Sequence, residues 1–284
     1  MSETEKTRDP SRGEMPFLDH LEELRWRIFK ALGALGIGIV IGLVAVTQLP
    51  VIEVLLAPLY TVIDGLQEQG ATWLGITGQG RLVYTNVTEP FFFILKMGLL
   101  FGLLLASPVI VYQVWAFLSP ALEPHERRAI IPSLYLGLVL FSAGVALAYF
   151  VALPVTIRFL LLFGADYFSP MLTAGYYLSF VVRLLLAFGI AFELPVVVMI
   201  LSAMGLVTPA FLRAKRRHAV VIITAAAAFL SPGDVITVTL LLMVPLVLLY
   251  EFSILLSAMI YRKRNVEQIH DTSEPPHDAV ERGD

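Results

Sequence analysis

Few residues in this chain have the type and spacing to do chemistry. Two carboxylates, Glu193 in AFELP and Glu251 in LYEFS, interrupt long apolar runs. An ionisable group inside hydrocarbon is costly, so each is a candidate functional residue by default. For Glu193 the competing account is a protonated carboxyl bonded to a backbone carbonyl that Pro195, which has no N–H, leaves free. For Glu251 it is internal packing, or pairing near the basic run Arg262 to Arg264. Lys96 and Arg183 lie toward the ends of their runs, where long cationic side chains reach the interface.

Two other segments set carboxylates among arginines. HLEELRWR, residues 20–27, puts Leu21, Leu24 and Ile28 on one helical stripe and Glu22, Glu23, Arg25 and Arg27 elsewhere, which predicts a helix lying at the membrane surface before the first span. In SPALEPHERR, residues 119–128, Pro124 suits the first position of a helix, and Glu126 falls in the first turn, where the macrodipole favours an anion. Glu126 is therefore either a helix-capping carboxylate or an exposed one that binds a cationic ligand. A pair of surface carboxylates would prefer arginine to lysine, because a guanidinium stays charged and offers a planar fork of donors.

Nothing points to catalysis. There is no phosphate-binding GxxxxGK[ST] loop. His125-Glu126 starts like a zinc HExxH, but Ala129 stands where the second histidine belongs. Asp234 in SPGD is isolated and gives no acidic dyad, and with no cysteine there is no disulfide, thiolate metal site or cysteine nucleophile. The reading is a non-enzyme with no metal and no cofactor.

The elements that position these residues must be membrane helices. The 284 residues are 57% hydrophobic and 15% charged, with a mean hydropathy of +0.79, far too apolar for an ordinary soluble domain. Unpaired backbone groups are expensive in hydrocarbon, so such a chain crosses as helices of about 20 apolar residues. Six runs qualify: 28–49, 91–118, 129–153, 178–201, 219–230 and 236–260. The fold class is all-α, a polytopic membrane protein with six transmembrane helices. Sixteen of the 20 lysines and arginines fall on one side of these runs, which predicts both termini in the cytoplasm. A net charge of −3 hides this segregation, and no basic face suits nucleic acid.

The two long connections then lie outside, as a cap. The first, 50–90, is predicted to hold an interfacial helix broken at Pro58, and the second, 154–177, to begin with an apolar stretch against the bundle. The fifth run, as a helix of residues 219–230, is only about 18 Å long and falls short of the bilayer, unless the basic stretch before it extends the helix. Gly38 and Gly42 form a GxxxG on the first helix, but this spacing often arises by chance, so no interface is assigned to it. The domain reading is 1–27 as a cytoplasmic segment with an interfacial helix, 28–261 as the transmembrane domain and 262–284 as a disordered cytoplasmic tail.

Long ordered motifs run through the chain: FLDHLEELRWR at 17–27, APL at 57–59, SPVIVYQVWAFLSPAL at 107–122, PHERR at 124–128, YLSFV at 177–181, AFGIAFELPV at 187–196, MGLVTP at 204–209 and SPGDV at 231–235. On these the chain resembles the TatC family, the polytopic receptor component of the twin-arginine translocation system. The resemblance implies a subunit of the bacterial inner membrane that binds signal peptides bearing consecutive arginines. It would act with the single-span partners TatA and TatB, form a homo-oligomer within a receptor complex and draw on the proton-motive force to export folded proteins. It maps the arginine-binding acidic pair onto Glu23 and Glu126, with Arg25, Phe117, Leu122 and Arg128 nearby, and architectural positions onto Pro58 and Gln113. Glu193 would meet a polar residue of a partner helix. The alternative is a proton-coupled secondary transporter of a small solute, which should show internal repeats and broken helices that are not seen here.

Overall fold

The computed structural model describes residues 15–70, 82–118, 130–163, 165, 167, 170–230 and 237–273. These fold into helices α1 (Met15–Gln48), α2 (Val51–Glu68), α3 (Glu89–Leu118), α4 (Ile130–Leu147), α5 (Leu153–Leu162), α6 (Ala174–Phe192), α7 (Leu194–Ala203), α8 (Pro209–Ala214), α9 (Arg216–Leu230) and α10 (Thr237–Ser273). A π-helical turn, Ala148–Ala152, joins α4 to α5. Five stretches are long and apolar enough to cross a membrane: His20–Gln48, Glu89–Val114, Leu134–Leu162, Ala174–Ala203 and Leu242–Arg262. α9, at 15 residues or about 22 Å, is not among them. The basic stretch extends the fifth run only by Arg216, Arg217 and His218, because Lys215 caps α8 just before it.

α1 runs unbroken from Met15 to Gln48, so the N-terminal segment and the first apolar run form one continuous helix. Residues 20–32 hold no proline or glycine to turn the chain, and most are good helix formers. α10 likewise continues to Ser273, beyond the expected start of a disordered tail at 262; the first prolines after it are Pro275 and Pro276.

Glycine, rather than large side chains, joins α1 to the bundle. Gly38 and Gly42 face Gly98 and Gly102, a second GxxxG on α3. A Cβ at Gly38 would lie 2.4 Å from the Gly102 carbonyl oxygen, and one at Gly42 would lie 2.4 Å from that of Gly98. The motif left without a role in the sequence is thus one half of a tight helix–helix seam. The opposite side of α1 exposes Leu32, Ile37, Val40 and Val44, as a lipid-facing helix should.

Prolines that were expected to end helices do not. Pro58 lies inside α2 and leaves the Val54 carbonyl, four residues back, without its helical donor. The Tyr149 hydroxyl, from the π-helical turn, donates to that oxygen, and the Tyr177 hydroxyl donates to the next one, Leu55 O, at 2.9 Å. Pro108 in α3 frees the Leu104 carbonyl in the same way, and Ser107 Oγ donates to it at 2.7 Å. Pro154 follows the π turn, where the Leu153 N–H reaches back to Ala148 O, so the helix widens and carries on to Leu162. The apolar start of the second connection is therefore helix α5, which packs on α2 to form a cap at the end of the bundle remote from Glu23.

The connections before α3 and α6 are tied there by an isolated parallel bridge between Val83 and Thr173. Val83 N donates to Leu172 O at 3.1 Å, and Ala174 N donates to Val83 O at 3.0 Å. Beside the bridge, the Glu89 carboxylate accepts the Thr85 N–H at 2.9 Å and the Gly175 N–H at 2.6 Å. The core between these ends centres on Phe188, Met97, Leu100, Leu153, Leu178 and Leu184, all essentially fully buried.

Candidate functional site

α1 and α3 bring their polar ends together opposite the cap. His20 on α1 stacks on Phe117 near the end of α3, with ring centroids 4.4 Å apart and planes 13° apart. One turn along α1, the Glu23 carboxylate faces His20 Nδ1 at 3.6 Å through Oε2. Its Oε1 accepts both Nε of Arg27, at 3.0 Å, and Nη2 of the same guanidinium. These hydrogen bonds commit one oxygen of the Glu23 carboxylate to its own helix. It is half-buried rather than free in solvent.

The residues expected around it are partly assembled. Phe117 is at the site, and Gln113 lies one turn before it on α3. Arg25 is turned away: exposed, with its guanidinium 5.6 Å from the centre of the Phe29 ring. The partner of Glu23 is Arg27, and the residue that ties it to α3 is His20. Both belong to the i, i+3 and i, i+4 neighbourhood of Glu23, a spacing that would have pointed to them. Leu122, Glu126 and Arg128 lie outside the described residues, as do Ser231 to Asp234. The connector that carries the first three starts at the end of α3, next to Phe117, and ends at Ile130. Pro58 is buried in α2 at the opposite end, where it acts through the Val54 carbonyl.

Glu193 sits at a kink between α6 and α7. Pro195 in the first turn of α7 breaks the hydrogen-bond ladder, and Glu193 N pairs with Ile190 O at 3.1 Å. The carboxyl lies over Gly137 of α4, whose Cβ, if present, would meet Glu193 Oε2 at 2.9 Å. Among the described residues, Oε1 is buried with no hydrogen-bond partner. The other glutamate within an apolar run is paired: Glu251 Oε2 accepts from Arg216 Nη2 at 2.7 Å across α10 and α9.

Long apolar helices, prolines inside them, a glycine seam and a charged cluster at the start of α1 define a polytopic integral membrane protein of the helical-bundle type. A family model described as Sec-independent protein translocase protein (TatC) matches residues 19–245. The translocase protein TatC of Carboxydothermus hydrogenoformans is 37% identical over 249 residues, 88% of this chain and 95% of that one. That of Aquifex aeolicus is 37% identical over 88% of this chain and 98% of its own, and that of Escherichia coli K12 is 36% identical over 89% and 92%. A crystal structure of the twin-arginine translocase receptor TatC superposes with a TM-score of 0.69 at 37% identity, covering 85% of this chain and 99% of that one. The chain belongs to the TatC family of protein translocase components. Its bacterial relatives place it in the inner membrane, as part of a complex with other proteins.

Proposed function

We propose that this chain is the receptor for twin-arginine signal peptides, and that Glu23 and Glu126 take the two guanidinium groups. The observation that carries the reading is the Glu23–Arg27 pair. A half-buried surface carboxylate already accepts two N–H groups from one guanidinium, which is the contact an arriving arginine would make in exchange. The His20–Phe117 stack supports the second half of the pair, since it holds the end of α3, from which the chain runs on to Glu126, beside the first turns of α1. Two partly shielded charge-assisted bonds contribute about 1.5–3 kcal/mol each, against about 0–1 for fully exposed pairs.

Around this site we infer six spans with both termini cytoplasmic, α9 serving as a short sixth span. TatA and TatB act as single-span partners and further copies of this chain join the receptor complex. The proton-motive force drives export of folded proteins with no catalytic step in this chain. Glu193 supplies a buried carboxyl for a polar residue on a partner helix. Tags at either terminus or at Arg216 should be cytoplasmic, and tags near Gln79 and Tyr167 external; external exposure of Arg216 would contradict the topology.

The direct test is binding of an arginine-pair peptide to the reconstituted protein. Glu23→Ala and Glu126→Ala should each weaken binding by about tenfold or more, and the double variant should lose recognition, with membrane insertion intact. If Glu126→Ala and the double variant bind as tightly as the parent, Glu126 is a helix cap and the assignment fails.

A further inference from the structure

Two cations within the apolar helices have no part in the site above. Lys96 lies about two turns into α3 and Arg183 about two and a half turns into α6, both exposed and both toward the capped end of the bundle. Ser179 links them. Lys96 Nζ donates to Ser179 Oγ at 3.3 Å, Ser179 Oγ donates to Gly175 O at 2.7 Å, and Arg183 follows Ser179 by one turn on the same face of α6. The nearby carboxylate, Glu89, is committed to the Thr85 and Gly175 N–H groups. Glu193 lies about 15 Å further along the α6–α7 axis than Arg183. Among the described residues, neither Lys96 nor Arg183 has an acidic partner.

Depth decides what neutralises them. α3 and the α6–α7 pair are 30 residues each, about 45 Å against about 30 Å of hydrocarbon, so roughly 7 Å of helix projects at either end. On that register Lys96 sits about 3 Å and Arg183 about 6 Å below the hydrocarbon edge, within reach of the headgroup layer through their flexible stems. The anion present in that layer is the phosphate of a lipid. We propose that Lys96 and Arg183, spaced by Ser179, bind the phosphate of an anionic phospholipid in the leaflet remote from the N-terminus. Two cations, one bonded to Ser179 and the other one turn beyond it, suit a lipid of net negative charge. A zwitterionic lipid brings its own ammonium, which competes with them.

The test is lipid retention by the purified full-length protein in detergent, read by native mass spectrometry with phosphatidylglycerol, phosphatidylcholine and inorganic phosphate as probes. The parent should retain phosphatidylglycerol over phosphatidylcholine, and Lys96→Gln with Arg183→Gln should weaken that retention by about tenfold or more. Each single substitution should give an intermediate loss, which serves if the double variant does not fold. Lys96→Arg should retain the lipid. Arg158→Gln, which removes an exposed cation at the same end that donates to Gln69, should change nothing. Equal retention by parent and double variant overturns the proposal, as does phosphatidylcholine bound as well as phosphatidylglycerol. Displacement by inorganic phosphate at equal concentration makes it a free-anion site and also overturns the lipid assignment. Unchanged lipid binding with loss of a co-purifying subunit assigns the cations to a partner's carboxylate instead.

Discussion

The glycine seam between α1 and α3 makes its own control, because α1 carries four glycines in two environments. A Cβ at Gly38 or Gly42 would lie 2.4 Å from a backbone carbonyl of α3, whereas at Gly33 and Gly36 nothing lies within 4 Å. A carbon approaches a carbonyl oxygen to about 3.3–3.6 Å, so the added methyl at either seam site requires the helices to part by about 1 Å. The obstacle is backbone, which cannot rotate away. Overpacking costs about 1–3 kcal/mol per site, and a gap of about 1 Å forfeits up to half the dispersion energy along the remaining contact. Replacing glycine by alanine in an unobstructed helix stabilises it by about 0.5–1 kcal/mol. The double variant Gly38→Ala/Gly42→Ala should therefore lose about 2–6 kcal/mol, while Gly33→Ala/Gly36→Ala should match or exceed the parent. Reversible unfolding in mixed micelles with increasing SDS, followed by circular dichroism, measures both. Equal stability of the two double variants would refute the close approach of the helices and the role given to the seam.

Three further outcomes follow from the same geometry. Arg27→Gln should tighten binding of an arginine-pair peptide several-fold by removing the resident competitor, at a cost of only about 0.3–0.5 kcal/mol in stability. Tyr149→Phe strands the Val54 carbonyl and should cost about 1 kcal/mol, but much less in a Pro58→Ala background, where an N–H is restored; additive melting shifts would contradict the link. Gly137→Ala should leave folding within about 1 kcal/mol of the parent, since the displaced neighbour is the flexible end of Glu193, yet both it and Glu193→Ala should weaken crosslinking to a partner helix.

The membrane class was legible because apolar runs of about 20 residues admit few other structures, and the ends of α3, the joint stretch of α6 and α7, and the start of α10 follow those runs closely. Continuity through Pro58 and Pro154 was not. A proline reveals that a carbonyl has lost its donor, but not that a tyrosine far along the chain replaces it or that a π turn precedes it. The seam was half visible: Gly38 and Gly42 gain meaning only once Gly98 and Gly102 face them, a pairing that crosses about 60 residues of chain. At the candidate site, Glu23 and Phe117 were legible through family likeness. The contact of Glu23 with Arg27 in place of Arg25 depends on helical phase continuing unbroken through residues that had been expected to form a separate surface helix.

The bridge between Val83 and Thr173, with Glu89 fastened to Gly175, pins the starts of α3 and α6 to each other at the capped end. Helices fixed at one end can only splay at the other, so the pin acts as a fulcrum and the bundle as a pair of levers. A relative tilt of about 5° on an arm of about 45 Å moves the free end by about 4 Å. That free end carries Phe117 and, stacked on it, His20, so a small rotation of α3 at the cap is magnified into a displacement of the Glu23 surface relative to α6.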